Sequence, residues 1–194
     1  MPTSIFDQLI EQSQSHLDQV KTQISGLDDD QLNWKPNDKT WSILEVIEHL
    51  SIVYDLYFPK FDKVLELAEP ISDVQPFSSK KTLLGRLSIY SQRPKKGKVK
   101  FKMKTFDFFE PSHSSKGTSS IIEKYENDKA HLAEIIRLAS NRDVSTVKIS
   151  TALGEKVKFY FVECIEFLLA HEARHLVQIA KAVENHSALN FKSR

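Results

Sequence analysis

The sequence predicts an all-α protein, a four-helix bundle. Three observations predict it: four long segments carry apolar residues at spacings of three and four, helix-capping patterns open two of them, and little alternating pattern competes for strand. At 194 residues and 40% hydrophobic content the chain can bury a sizeable core, and a single domain over residues 1–194 is expected.

The first helix is expected over residues 4–26, where Ile5, Leu9, Leu17, Val20 and Ile24 line one face and Gly26 supplies a stop. A polar stretch with Asp28, Asp29, Asp30 and Pro36 follows. Ser42 and Glu45 then form a capping box, in which each side chain bonds the other's backbone N–H, so a second helix starts there. Val46, Leu50, Val53 and Tyr57 carry it toward Leu67, with Pro59 expected to kink or shorten it. The third helix opens on the similar pattern Ser120 to Glu123 and runs through Ile121, Tyr125, Leu132, Ile135 and Ile136 to about Ser140. The last spans Val157 to about Glu184 and is apolar on more than one face, which places it at the centre of the core.

Residues 69–117 are too long for an ordinary helix connection. Thr82 to Ser91 reads as a short helix ended before Pro94, and Lys98 to Lys104 alternates Lys with Val99, Phe101 and Met103, as an extended arm with one face on the bundle would. Arg93 to Lys104 holds seven basic residues and no acid, a stripe that can follow a phosphate backbone or keep an edge soluble; the second reading is the expected one, and nucleic acid is not an expected partner.

Charge and segment lengths exclude several classes. Lys and Arg number 27 against 26 Asp and Glu, so no global field favours nucleic acid or an anionic membrane. No apolar run is long enough to span a bilayer. Asp7 interrupts the start before an apolar stretch forms, and Cys164 is the single cysteine, so neither a signal peptide nor an intrachain disulfide is expected and the cytoplasm is the expected location.

The chemistry concentrates in His171-Glu172-Ala173-Arg174-His175. Residues four apart stack on one helix face, so His171 and His175 can close on a single metal ion. The row Cys164, Leu168, His171, His175, Gln178 and Ala182 turns both inward, and His49 shares the buried stripe of Val46 and Val53 on the second helix. A lone buried histidine is most often a hydrogen-bonded core residue. Three that face one core invite a common explanation, since each imidazole buried without a partner costs about 1–3 kcal/mol.

The string also fits the H-E-x-x-H signature of zinc proteases, in which the Glu is the base. A metzincin needs Gly three and His six residues further on, where this chain has Gln178 and Lys181. A glutamate from a second, downstream helix is not expected before Arg194 either, so a third ligand has to come from upstream, where His49 stands on a core-facing stripe.

Leu32-Asn33-Trp34-Lys35-Pro36, then Trp41-Ser42 through Glu48-His49-Leu50, and far downstream Ala170-His171-Glu172-Ala173-Arg174-His175 with Gln178-Ile179, together resemble the DinB/YfiT-like superfamily. The resemblance implies a four-helix bundle with a three-histidine metal site, and His49, His171 and His175 occupy the matching positions. It also implies a divalent metal, zinc or nickel foremost, a small-molecule substrate and a homodimer. Members of known activity include transferases that use low-molecular-weight thiols and a maleylpyruvate isomerase, so the expected reaction is transfer of such a thiol to an electrophile. A metal-dependent hydrolase and a non-catalytic binding protein are the alternatives. Beside the histidines, Gln178 is expected to hold a ligand ring, Glu172 to pair with a neighbour rather than orient water, Trp34 and Trp41 to pack the loop on the bundle, and Cys164 to be a buried apolar residue. His16, His113, His131 and His186 are given no ligand role.

Overall fold

The computed structural model describes residues 4–71, 79–99, 107–111 and 117–192, with side chains to residue 186. Helix α1 (Ile5–Ile24) starts at a Ser4 cap whose hydroxyl accepts from the Asp7 N–H, and it stops where Gly26 takes φ +77°, a conformation that glycine alone adopts without strain. The polar stretch contains a one-turn helix not foreseen from its composition, α2 (Asp29–Asn33), capped reciprocally by Asp28 and Gln31. Helix α3 (Ile43–Leu67) begins at the expected Ser42–Glu45 box, with bonds of 2.8 and 3.1 Å.

Pro59 does not shorten α3. The proline is exposed, while Phe58 and Phe61 beside it are buried and keep the helix seated on the core. Helix α4 (Leu83–Gln92) lies in the long connection, its Thr82 cap donating its N–H to the Glu163 carboxylate at 2.7 Å. Gly85 permits that approach, because a Cβ there would collide with the Glu163 carboxyl group. Of the proposed arm, Lys100 to Lys104 lie outside the described residues; Lys98 bridges back to Lys95 around a tight Lys96–Gly97 turn. Asp107–Phe109 forms a single 3₁₀ turn.

Helix α5 (Thr118–Ala139) starts earlier than its capping pattern suggested. Its cap is Gly117, and the Ser120 hydroxyl donates to the Gly117 carbonyl instead of capping Glu123. The larger correction lies before the last helix. Strands β1 (Lys148–Thr151) and β2 (Gly154–Tyr160) form an antiparallel hairpin, so the chain is not purely α-helical, and Val157 to Tyr160 belong to a strand. Ile149 and Phe159 pair across it with both side chains buried, while Lys156 and Lys158 face solvent. Helix α6 (Phe161–Lys192) follows directly.

The four long helices α1, α3, α5 and α6 pack around one core, with α3 and α1 each touching both α5 and α6, and α4 lies against α6. Tyr54, Tyr57, Tyr125, Phe61, Phe161, Leu132 and Ile165 are nearly or fully buried there. The hairpin is tied to α3, since Lys60 donates to the Ser150 carbonyl at 3.0 Å and the Ala152 N–H donates to the Tyr57 hydroxyl at 3.2 Å. Among the described residues no helix is long and apolar enough to cross a membrane.

Candidate metal centre

Helix α3 contributes His49, and α6 contributes His171 and His175, one turn apart. The capping box of α3 fixes its first turns, and the apolar residues around His49 press that face against α6. The three rings meet: one ligand atom from each lies within 4.8 Å of the others. The Nε2 atoms of His49 and His171 are 3.4 Å apart, and those of His171 and His175 3.1 Å. A tetrahedral zinc site with ordinary Zn–N bonds has N···N edges of about 3.3–3.4 Å, so the two edges that meet at His171 are close to those of a divalent-metal site.

The outer nitrogens settle which atoms face inward. His49 Nδ1–H donates to the Phe109 carbonyl at 2.8 Å, and His175 Nδ1–H donates to Gln178 Oε1 at 3.0 Å. Each of those rings therefore presents a bare Nε2 lone pair to the centre. Burial holds the rings neutral: it lowers the His49 pKa, takes His175 well below the usual range, and together with His49 and Arg174 brings His171 to about 3. The lone pairs of His49 and His175 thus converge on the His171 Nε2, and a set of three imidazole nitrogens fits a divalent ion of intermediate softness such as zinc or nickel.

A cavity of about 540 Å³ opens beside the cluster. Its walls include Val53, Tyr57, Phe109, Phe159 and Phe167, and the hairpin adds Thr151, Ala152 and Leu153. Trp41 is also part of this wall, its ring 4.8 Å from that of His49 and stacked on His175 at 6.3 Å, so it borders the candidate site as well as packing its loop. Trp34 has no such place; it meets His186 edge-on at 5.6 Å. The sequence pattern offered no sign that the hairpin would line the cavity, because its contacts depend on how residues far apart in the chain come together.

Glu172 points elsewhere. Fully buried, it accepts from Tyr125 at 2.6 Å, Tyr54 at 3.0 Å, His16 at 2.7 Å and Lys129 at 2.7 and 2.9 Å. Burial pushes this carboxyl up, but Lys129 and His16 overcome it and hold the group near 2. Burial also lowers Lys129 and, with Glu172, raises Tyr54 and Tyr125 well above the ordinary tyrosine value. The middle of the H-E-x-x-H string is thus an internal ion pair joining α6 to α1, α3 and α5. Its partners were invisible to spacing, His16 being 156 residues away.

Among the described residues, the other polar side chains read from the sequence stay off the cluster, as expected. Glu45 is occupied by Ser42 and Lys35, His131 is exposed beside Asp62, and His113 lies outside the described residues. Cys164 is fully buried and its thiol is pushed up to about 12, chiefly by burial.

A helical bundle with three histidines converging from two helices beside a cavity defines the class to which comparison points. The model of the DinB superfamily matches residues 9–179, and the chain belongs to that superfamily. Among solved structures, YfiT from Bacillus subtilis, described as a probable metal-dependent hydrolase with an unusual four-helix bundle topology, superposes with a TM-score of 0.59. The match covers 94% of this chain and 87% of that one at 13% identity, a likeness of fold. No curated protein matches the chain.

Proposed function

We propose that His49, His171 and His175 hold one divalent metal ion, zinc or nickel, and that the cavity beside them is an active site for transfer of a low-molecular-weight thiol to an electrophilic small molecule. The observation that carries the reading is the convergence of the histidine Nε2 atoms at 3.1 and 3.4 Å, with the Nδ1 atoms of His49 and His175 engaged outward. Three protein ligands, rather than four, are the mark of a catalytic metal site, and about 540 Å³ beside them leaves room for organic reactants.

When bound, a divalent ion with open positions supplies Lewis acidity that strengthens a thiol or water as a nucleophile at neutral pH. The chain does the rest. Phe109 and Gln178 hold the outer ring protons of His49 and His175, which keeps the Nε2 atoms of those two rings aimed at the centre. Trp41, Phe109, Phe159 and Phe167 restrict water around the reactants. No carboxylate lines the cavity among the described residues, so no Asp or Glu stands ready as base. The thiol proton therefore passes to solvent, the sulfur electron pair forms the new bond to carbon, and the leaving group departs with the old bonding pair. Cys164, buried and with its thiol pushed up to about 12, is not the nucleophile.

The likeness to YfiT, described as a probable metal-dependent hydrolase, favours a second reading in which water replaces the thiol. Metal-loaded protein should be assayed with 1-chloro-2,4-dinitrobenzene and a panel of small thiols, and in parallel with 4-nitrophenyl acetate without thiol. Product formation that needs both thiol and metal supports transfer. Metal-dependent ester cleavage without thiol moves the assignment to hydrolysis, and no metal-dependent turnover in either assay would sink the enzymatic reading.

A further inference from the structure

The fixed charges around the cavity are all of one sign. Lys39, Arg174 and Lys181 line it, and no Asp or Glu does among the described residues. Several cations elsewhere sit beside acids, as in Lys21–Glu126, Lys35–Glu45, Lys81–Glu166 and Lys124–Asp55, whereas the described lining of the cavity contains no acid at all. With 27 basic and 26 acidic side chains in the whole chain, composition favours neither sign at this rim, and its positive field is local.

These cations sit on ordered backbone. Arg174 and Lys181 are seven residues apart on α6, two helical turns, and share the edge of the face that carries His171 and Gln178. Lys39 belongs to a turn held by Asn37, which accepts from the Lys39 N–H at 3.0 Å and from the Thr40 hydroxyl at 3.1 Å. Arg174 is half-buried, whereas Lys39 and Lys181 are exposed. The inner wall is mostly apolar, through Trp41, Phe109, Phe159 and Phe167.

We propose that the cavity selects amphipathic organic anions, whose acidic group meets Arg174, Lys181 and Lys39 at the rim while an apolar body lies along the aromatic wall toward the histidines. This deepens, and rests on, the reading of the cavity as an active site. The guanidinium suits a carboxylate or similar planar anion, and the two lysines add charge without demanding one geometry. A neutral ligand of the same shape gains the apolar contacts and forgoes the rim.

Isothermal titration of 4-phenylbutyrate and of its neutral counterpart 4-phenylbutanamide, on zinc-treated wild type and on an R174Q/K181Q variant, tests this. Wild type should bind the carboxylate tighter by about tenfold, a preference that weakens with added salt. In the double variant that preference should fall to about twofold with zinc content unchanged. An equal or undetectable response of wild type to the two ligands overturns the proposal, as does a preference that survives R174Q/K181Q and so comes from elsewhere. Zinc content separates the two ideas: protein that takes up no zinc yet prefers the carboxylate contradicts the metal site alone, and zinc-loaded protein without preference contradicts the anion site alone.

Discussion

His171 and Glu172 are neighbours in sequence, and their surroundings on α6 differ in almost every respect. Around Glu172 the polar groups are mutually satisfied: one carboxylate meets an ammonium, two tyrosine hydroxyls and an imidazole, all within 3.0 Å. Around His171 the polar groups converge on one point, the acceptor nitrogens of two other rings standing 3.1 and 3.4 Å from its Nε2 beside an open cavity. Saturation of that kind is what a fold requires of a buried charge, while convergence of lone pairs is what a cation requires of its ligands. A five-residue motif is thus divided between holding the bundle together and building a site.

Substitutions should separate the two regions. The largest effect is expected at the cluster: His171→Ala should abolish stoichiometric metal binding, measured by equilibrium dialysis, with most of the fold retained by circular dichroism. Metal retained at wild-type affinity would break the contrast. Next, Glu172→Ala leaves Lys129 buried without its carboxylate and should cost about 3–5 kcal/mol in denaturant unfolding. A loss below about 1 kcal/mol would show that the ion pair does not anchor α6.

Smaller changes sharpen the picture. Gln178→Leu removes the acceptor for His175 Nδ1 and should weaken metal affinity by about 10–100-fold, with a stability loss of at most about 1–3 kcal/mol from the unpaired N–H, smaller than that of Glu172→Ala. Unchanged affinity would mean that Gln178 does not orient the ring. Least affected should be Cys164: with its thiol near 12, the unfolded state titrates first as pH rises, so iodoacetamide at pH 8 should label unfolded but hardly label folded protein. Rapid labelling of the native state would show the α6 core open to solvent.

What could be seen in the sequence follows the range of the forces involved. The Ser42–Glu45 box, the i,i+4 pair of histidines and the shared stripe of His49 are local signals, and α3, α6 and the cluster follow them. Gln178, one turn from the ligands, was legible for the same reason. The hairpin was not, because its Val157-to-Tyr160 strand runs without a break into the apolar α6 pattern, and four-residue β1 is too short to show a clear alternation. Neither was the α5 start, where the backbone begins its turn at Gly117 before the Ser120 pattern can act. The His16–Glu172 contact and the cavity wall depend on tertiary packing, which no spacing rule records.

The central claim is tested most directly by metal content. Protein purified without chelators or an affinity tag, incubated with zinc, nickel or manganese and desalted, should carry about one divalent ion per chain, by mass spectrometry of the metal, in wild type and in Glu172→Gln, and none in His49→Ala. Wild type that remains metal-free with all three ions, or a His49→Ala protein that keeps its metal, would contradict the account.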